Sequence, residues 1–452
     1  MKKRLGALLG GDGLRARALR GVSMSMTNMM GQNVLRLVSN LILTRLLVPE
    51  AFGLMAIVGV FTTGMQMFTD LGIKASIIQS KRGDEPAFLN TAWTMQIIRG
   101  IILALGCVIL AYPAALMYDE PMLLGLMAAT GLNPLVSGFV TTKVGTERRK
   151  LHLSRVVSIQ LLSQAISIVL MAVLAYYYRS VWVLVIGTVF GSALRVLLYR
   201  IYMPGMNNRL AWEPAAAREI FGFGKFIFLS TLCSFMITQG DKLILGIYVS
   251  TGLLGIYNIA YVMGILPVIL IRGVMRGVVF PLYRLRPPAE SPANQRNLFK
   301  ARRLLVAGAL AGTFVLACIA VPLVDLMYDD RYMLAGPIIM MICLASVPLI
   351  VFEGYGNALM AHGDTKRMFY VSVVTAAVQT VMLFVAISNF GILGAIIVPG
   401  AAALLTYPLL RRYVERYKAL DSKGDMMFLA SGFAAIGVVC WLNRAQILQL
   451  VS

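Results

Sequence analysis

Residues 143–180 read KVGTERRKLHLSRVVSIQLLSQAISIVLMAVLAYYYRS. Five basic residues (Lys143, Arg148, Arg149, Lys150, Arg155) precede a mainly apolar run from 156 to 177. The run ends in Tyr176, Tyr177 and Tyr178, with a lone Arg179 beyond. At about 1.5 Å of helical rise per residue, such a run crosses a hydrocarbon core about 30 Å thick. A basic near end, an apolar middle and an aromatic far end describe a transmembrane helix that starts on the cytoplasmic side.

The pattern repeats in both directions. Apolar runs of spanning length occupy 21–44, 51–72, 91–112, 121–142, 156–177, 181–201, 225–248, 253–274, 304–323, 334–357, 368–388 and 391–410, and a shorter thirteenth covers 426–443. The last is either a span or an interfacial or re-entrant segment, which leaves the side of the carboxyl terminus open. Mean hydropathy is +0.78. Only 13% of the residues are charged, against about 25% in a soluble domain. The fold class expected is an all-α polytopic membrane protein.

Lys and Arg together number 41 against 20 acids, a net charge of +21. On a soluble chain this would suggest nucleic acid. Here thirty-four of the basic residues lie in 1–20 or in every second gap with its bordering span ends: 73–90, 143–155, 195–225, 272–303, 366–367 and 411–423. The other side holds only Arg45, Arg179, Arg331 and Arg444. The positive-inside rule accounts for this, places the amino terminus in the cytoplasm and leaves no call for a nucleic-acid partner. The first 20 residues are basic and Gly-rich without a small-residue cleavage site, so the first span is expected to remain as a helix rather than leave as a signal.

The expected organisation is a basic cytoplasmic arm (1–20), an amino-terminal six-helix lobe (21–201), a cytoplasmic linker (202–224), a carboxyl-terminal six-helix lobe (225–410) and a basic loop with one more apolar helix (411–452). The halves echo each other. Leu41-Ile42-Leu43 recurs as Leu243-Ile244-Leu245, and Phe52-Gly53-Leu54 recurs 202 residues on as Leu254-Gly255-Ile256. At the inner ends of spans four and ten, Gly145-Thr146-Glu147-Arg148-Arg149 resembles Gly363-Asp364-Thr365-Lys366-Arg367. An even number of spans per half makes these parallel repeats about an axis along the membrane normal.

Polar residues inside spans mark a bundle interior or a wet cavity. In the first span Ser25, Asn28, Gln32, Arg36 and Ser39 recur at helical spacing; in the seventh, Ser230, Ser234, Thr238 and Asp241 do the same. Two polar stripes on equivalent helices suggest a central cavity. Arg36 and Arg99 lie near mid-depth, Lys242 in the outer third, and Arg272 and Arg276 near the inner mouth. Arginine suits phosphate because its planar fork donates in pairs. The alternative for Arg36 and Arg99 is a helix carbonyl or a carboxylate such as Asp70; for Asp241 and Lys242 it is a local pair that snorkels outward. Asp70, Asp241 and Glu353 are the acids able to couple a proton or a sodium ion, and Glu353 sits between Pro348 and Gly354 where the helix is expected to be irregular.

Other residue types read as ordinary. Cys107, Cys233, Cys318, Cys343 and Cys440 all fall in apolar runs without metal-ligand spacing, as small packing residues. Most of the 27 methionines read as core filler, although Met24, Met26, Met29 and Met30, with Met340 and Met341, form clusters suited to an adaptable apolar surface. His152 and His362 read as solvated loop residues. No P-loop, metalloprotease or nucleophile-elbow motif occurs, and the longest outer loop, about ten residues, is too short to house an enzyme site. No cofactor is expected.

Several segments resemble the polysaccharide-unit flippases of the multidrug/oligosaccharidyl-lipid/polysaccharide exporter superfamily. Arg45-Leu46-Leu47-Val48-Pro49-Glu50-Ala51-Phe52-Gly53-Leu54 resembles that family's stretch between its first two helices, and Thr69-Asp70-Leu71-Gly72-Ile73 its Asp-Leu-Gly element. Gly240-Asp241-Lys242-Leu243-Ile244-Leu245-Gly246 and Leu254-Gly255-Ile256-Tyr257-Asn258-Ile259-Ala260-Tyr261 resemble its seventh and eighth helices. The resemblance extends from about residue 14 to about 420. It implies two six-helix lobes around a V-shaped cavity in a bacterial inner membrane. The cargo it implies is an undecaprenyl-diphosphate-linked oligosaccharide for capsule, O-antigen or exopolysaccharide, handed on to other assembly proteins. It also implies that cavity cations, here Arg36 and Arg99, hold the diphosphate. A multidrug antiporter or a peptidoglycan-precursor flippase of the same superfamily, or a membrane glycan polymerase or ligase, are the competing readings; acids rather than bases in the cavity would favour the first.

Overall fold

The computed structural model describes residues 14–70, 72–150, 152–224 and 228–450, with the side chains of 14–23, 25, 26, 223, 224, 228 and 229 outside that description. The described residues are helical throughout, with no strand. In chain order the α-helices are α1 (Leu14–Leu46), α2 (Pro49–Phe68), α3 (Ile73–Gln79), α4 (Pro86–Tyr118), α5 (Met122–Thr130), α6 (Leu132–Gly138), α7 (Lys143–Arg149), α8 (Ser154–Tyr178), α9 (Trp182–Tyr202) and α10 (Pro214–Gly224). They continue as α11 (Phe228–Tyr248), α12 (Thr251–Gly264), α13 (Leu266–Val274), α14 (Phe280–Leu285), α15 (Pro292–Met327), α16 (Ala335–Val351), α17 (Tyr355–Ala361), α18 (Thr365–Glu415), α19 (Ser422–Leu442) and α20 (Arg444–Leu448). A π-helical turn, Met275–Val279, joins α13 to α14.

Nine of the described helical segments are long and apolar enough to cross a membrane, or ten if the bent pair Met122–Gly138 and Lys143–Arg149 is one span. The protein is a multi-pass membrane protein. Thirteen runs were expected, and beyond the bent pair the difference has two further sources. α1 and α11, the two helices with polar stripes, are not among the nine, because polar side chains dilute their apolar content. α18 joins two expected spans in one element divided at Gly391, whose φ of 54° only glycine adopts freely. The segment expected to be either a span or interfacial is α19, a 21-residue helix counted among the nine.

The chain forms two compact units. One comprises the residues up to Leu47 with Val58–Thr231; the other comprises Val48–Ile57 with Leu232–Ser452. In the first, α8 lies between α1 and α9, and α4 packs against α5 and α6. Asn28 donates to Gln160 Oε1 (3.1 Å) and Gln164 donates to the Gln32 carbonyl (3.3 Å), so the polar stripe of α1 is partly used to join α8. The linker is not featureless. Its helix α10 buries Ala216, Ala217 and Ile220 against Ile73, Ile77, Phe88, Leu89, Ala92 and Met95. Arg82 grips Glu213 through Nη2 (2.8 and 2.9 Å), and Ser80 donates to Glu219 (2.6 Å).

In the second unit α16 is central, touching α12, α15, α18 and α19, and it is buried almost all round, as its uninterrupted apolar sequence requires. Met340 and Met341 are core residues there. The amino-terminal turns of α2 and α12 cross closely: a β-carbon on Gly53 would strike the Thr251 carbonyl, and one on Gly255 would strike that of Pro49. α19 is anchored by a buried ion pair between Arg302 and Asp425 (2.7 Å; each side chain 1% exposed). Asp425 also accepts from Tyr355 (2.7 Å) and Tyr407 (2.9 Å), and the next turn is capped by Asp421, which Arg303 grips with two bonds. His362, expected to be solvated, is half-buried instead: it stacks on Tyr417 at 4.2 Å with Nδ1 2.8 Å from the Ala358 carbonyl. His152 is exposed. Cys107, Cys233, Cys343 and Cys440 are buried, and Cys318 lies on an exposed face.

Candidate functional site: a cationic cavity in the amino-terminal unit

The fourth expected span breaks. α6 ends at Gly138, and α7 starts at Lys143 with the chain bent by 60°. A broken helix at membrane depth leaves carbonyl and N–H groups to be satisfied. Gln96 on α4 donates to the carbonyls of Ser137, Gly138 and Val140 (3.3, 3.1 and 3.1 Å). On the other side of the break Asn208 accepts from the Thr142 N–H (3.0 Å) and the Thr141 hydroxyl (2.9 Å), and donates to the Thr142 hydroxyl (2.7 Å). Two carboxamides thus hold the break open.

The bend lays α7 against α3. Gly145 permits the contact, since a β-carbon there would sit 2.9 Å from Ile77 Cγ2. Arg149 fastens it, donating to the carbonyls of Ile77 (3.1 Å) and Ser80 and pairing with Asp84 (3.2 Å). Above this floor lies a cavity of about 650 Å³ between α2, α3, α4, α6, α7, α8 and α9. Its lining mixes Leu103, Ile73 and Val144 with Gln66, Gln96, Gln160, Thr63 and Tyr199. Four cations line it, Lys74, Arg99, Arg148 and Arg195, against one acid, Asp70.

The cations differ in their partners. Arg99 is tied to the carboxyl end of α2: Nε donates to Thr69 Oγ1 (3.1 Å), Nη2 to the Gln66 carbonyl (2.6 Å), and Nη1 lies 3.7 Å from Asp70. Both alternatives expected for it, a helix carbonyl and Asp70, are present. A cation at a helix carboxyl terminus also complements the dipole. Arg195 donates to Ser192 Oγ (3.3 Å), which in turn donates to Asn133 (2.5 Å). Lys74 and Arg148 have neither a hydrogen bond nor an ion pair among the described residues, and Arg148 Nε is buried without a partner. Desolvation first, and the charge of Arg148 next, push the Lys74 ammonium below the usual lysine range.

The other expected site residues lie elsewhere. Arg36 is exposed on α1, outside the cavity lining and without an ion pair among the described residues. Asn28 and Gln32 reach the cavity only through Gln160, to which Asn28 is bonded while it accepts from Gln32 (3.0 Å). The Ser25 side chain lies outside the described residues. In the second unit Arg272 pairs with Glu353 (3.2 Å), in the turn where α16 stops and Gly354 (φ 97°) starts α17. Arg276 is exposed on the π-helical turn. Ser234 and Thr238 are exposed on α11, with Thr238 donating back to the Ser234 carbonyl. Asp241 is buried (3% exposed) and accepts from Tyr257 (2.6 Å), while its other oxygen, Oδ1, has no hydrogen-bond partner among the described residues. Lys242 lies over the Tyr261 ring at 4.7 Å. Sequence reasoning missed Lys74, Arg148 and Arg195 by assigning them to the inner-face charge excess; the repeated Gly-Thr-Glu-Arg-Arg element carried the one signal for Arg148.

Residues 42–337 match the family described as polysaccharide biosynthesis protein. The chain belongs to this family. Among the proteins similar to it, the teichuronic acid biosynthesis protein TuaB of Bacillus subtilis (strain 168) is 20% identical over 387 residues, 83% of this chain and 80% of TuaB. The lipopolysaccharide biosynthesis protein WzxC of Escherichia coli (strain K12) is 23% identical over 351 residues, 75% of this chain and 69% of WzxC. The fold of this polysaccharide biosynthesis protein is similar to that of the lipid II flippase MurJ in an inward closed conformation (TM-score 0.69, 12% identity, 95% of this chain and 96% of MurJ). It is also similar to that of an inward-facing multidrug resistance transporter of the MATE family (TM-score 0.64, 14% identity, 90% and 100%). At these identities the likeness concerns the fold alone.

Proposed function

We propose that this protein is a flippase that moves lipid-linked saccharide repeat units across a bacterial inner membrane for surface polysaccharide assembly. The observation that carries the reading is the cavity with four cations and one acid in a member of the polysaccharide biosynthesis family. Such a lining favours an anionic headgroup, and the interleaved carboxamides and hydroxyls suit sugar hydroxyls. About 650 Å³ falls within the roughly 300–1,000 Å³ of small-molecule sites. It takes a diphosphate and adjoining sugars but not a polyprenyl chain as well. The tail stays in the bilayer, where it already lies in an apolar medium, so only the polar headgroup has to be carried.

The undecaprenyl-diphosphate form of the carrier, a cytoplasmic amino terminus and alternating access are parts of the same proposal, and no catalytic step is required. The 202-residue repeat is supported as a duplication by the reciprocal crossing at Gly53 and Gly255, because Thr251 and Pro49, the two groups struck, are themselves 202 apart. Of the three acids considered for ion coupling, Asp241 suits the role best. Glu353 and Asp70 each face an arginine, whereas Asp241 keeps one buried oxygen without a hydrogen bond among the described residues. A cation-exporting multidrug reading is disfavoured by the same excess of bases.

Deleting the gene and analysing lipid-linked saccharides tests the proposal. Accumulation of one undecaprenyl-diphosphate saccharide with loss of surface glycan, both reversed by the wild-type gene, is the expected result. Normal glycan with raised drug sensitivity would replace this reading with the multidrug one.

A further inference from the structure

Outside the cavity, we infer that α15 and α19 together bind an anionic diacyl phospholipid of the cytoplasmic leaflet, its phosphate held by Lys300, Arg303 and Lys423. The two helices pack on each other within the carboxyl-terminal unit. A β-carbon on Gly424 would sit 3.1 Å from Arg303 Nε, and one on Gly432 would sit 3.5 Å from Leu310 Cδ2. On α15, Lys300, Arg303, Ala307, Ala311 and Phe314 follow at three- and four-residue steps and are all exposed, so they occupy one face. On α19, Lys423, Met427, Ala430, Ala434 and Val438 do the same. Each face is basic at one end and apolar beyond it.

The depths of the three bases agree. The apolar run of α15 opens at Leu304 and that of α19 at Met426. Lys300, Arg303 and Lys423 precede those points by four, one and three residues, which is about 6, 1.5 and 4.5 Å of helix. The headgroup region is about 5–7 Å deep on each side of the hydrocarbon, so all three stand in it or at its edge. The acids beside them are already neutralised within the protein. Arg303 Nε and Nη2 grip Asp421 (2.6 and 2.7 Å), which is 4% exposed, and Arg302 takes Asp425. Lys300 and Lys423 have neither a hydrogen bond nor an ion pair among the described residues, so their charges face an anionic leaflet uncompensated. The alanines matter as much as the bases. Ala307 and Ala311 on one helix, with Ala430 and Ala434 on the other, keep both surfaces low, so an acyl chain can lie close to each backbone. The positive-inside rule asks only that bases stand on the cytoplasmic side; it does not ask for a low apolar surface beneath them. A soluble anion would have no use for that surface, and a phospholipid uses both halves.

The test is native mass spectrometry of the full-length protein released from detergent micelles. The protein is titrated with dioleoylphosphatidylglycerol and, separately, with dioleoylphosphatidylcholine. Wild type is expected to bind its first phosphatidylglycerol at least tenfold more tightly than phosphatidylcholine. Lys300→Gln and Lys423→Gln should each weaken that first site about fivefold, and the double variant should bind the two lipids nearly equally. Ala311→Trp and Ala430→Trp leave every base in place and should each weaken phosphatidylglycerol binding at least threefold. Lys81→Gln combined with Lys150→Gln removes two exposed cations from the amino-terminal unit and should leave binding unchanged. Melting curves that match wild type establish that the variants fold. A folded Lys300→Gln, Lys423→Gln protein that still prefers phosphatidylglycerol tenfold would overturn the site. An equal loss in the Lys81→Gln, Lys150→Gln protein would overturn it too, by reducing the preference to net charge. Tryptophan variants that bind like wild type would show bases acting without an acyl seat, and would overturn the assignment to a lipid.

Discussion

Replacing Asp425 by Ala should be among the most damaging single changes in the carboxyl-terminal unit. Asp425 is 1% exposed, pairs with the equally buried Arg302 at 2.7 Å, and accepts from Tyr355 and Tyr407. Its loss leaves the guanidinium, whose Nε and Nη1 have no partner among the described residues, with the Val351 carbonyl alone and no counter-charge, and it takes the acceptor from two tyrosine hydroxyls, of which Tyr355 still accepts from the Asp421 N–H. Breaking a buried pair from one side costs about 3–5 kcal/mol, and the hydroxyl hydrogen bonds lost with it add about 1 kcal/mol. A total of about 5 kcal/mol, at a conservative 2 °C per kcal/mol, lowers the melting temperature by about 10 °C. The assay is thermal denaturation in detergent, read by a thiol-reactive dye that reports exposure of the buried Cys107, Cys343 and Cys440. The paired replacement Arg302→Met with Asp425→Leu should recover most of the loss, because it removes the charge along with its partner. Arg303→Gln, which touches a 46% exposed guanidinium, should cost no more than about 1 kcal/mol. An Asp425→Ala protein that melts within about 2 °C of wild type, or a double variant no better than either single one, would refute the view that this pair anchors α19.

Three further outcomes are expected. Gly53→Ala and Gly255→Ala should each prevent accumulation of folded protein, measured by fluorescence-detected size exclusion, because the added methyl meets a backbone carbonyl rather than a side chain that can swing away; normal monodisperse peaks would show that the helix crossing yields. Arg99→Lys retains the charge yet cannot reproduce contacts to Thr69, Gln66 and Asp70, and should cost about 1–3 kcal/mol in stability by the same dye assay; an unshifted melting curve would count against a positioning role. Asp241→Asn keeps an acceptor for Tyr257 and removes the charge, so repeat-unit transport in inverted vesicles should lose its dependence on a sodium or proton gradient, and unchanged gradient dependence would exclude Asp241 as the coupling acid.

Much of the architecture was legible because membrane insertion writes itself into the sequence twice, as run length and as charge asymmetry. The span ending at Tyr178 and the apolar helix after residue 420 could be placed from those signals, and the irregularity near Glu353 from Pro348 and Gly354. The helix crossing at Gly53 and Gly255 was visible as a repeat but not as a contact, since a 202-residue offset says that two segments are alike and not that they meet. The bent fourth span was read as one continuous run, 121–142, because Gly138 and the threonines after it are apolar enough to continue a helix. What breaks it is distant: Gln96 and Asn208 supply the hydrogen bonds that make an interruption affordable. Local propensity carries no trace of such a partner.

The site was harder to read than the fold for a related reason. A cation that obeys the positive-inside rule and a cation that lines a cavity look identical in one sequence, for both sit at the inner ends of spans. Mid-span position singled out Arg36 and Arg99, on the argument that an intramembrane charge must have a purpose. Arg99 lines the cavity and is bonded to the end of α2. Lys74 and Arg148 drew no notice because their positions needed no special explanation. The distinction lies in hydrogen-bond commitment, as the pair Arg148 and Arg149 makes plain: one residue type, consecutive positions on one short helix, the second bonded to two carbonyls and paired with a carboxylate, the first with neither a hydrogen bond nor an ion pair among the described residues. Depth in the membrane therefore selects the cations that cost most to place, whereas the hydrogen bonds a cation makes after folding cannot be counted from its position in the sequence. In this cavity the deepest cation, Arg99, is also the one with the most bonds to its neighbours.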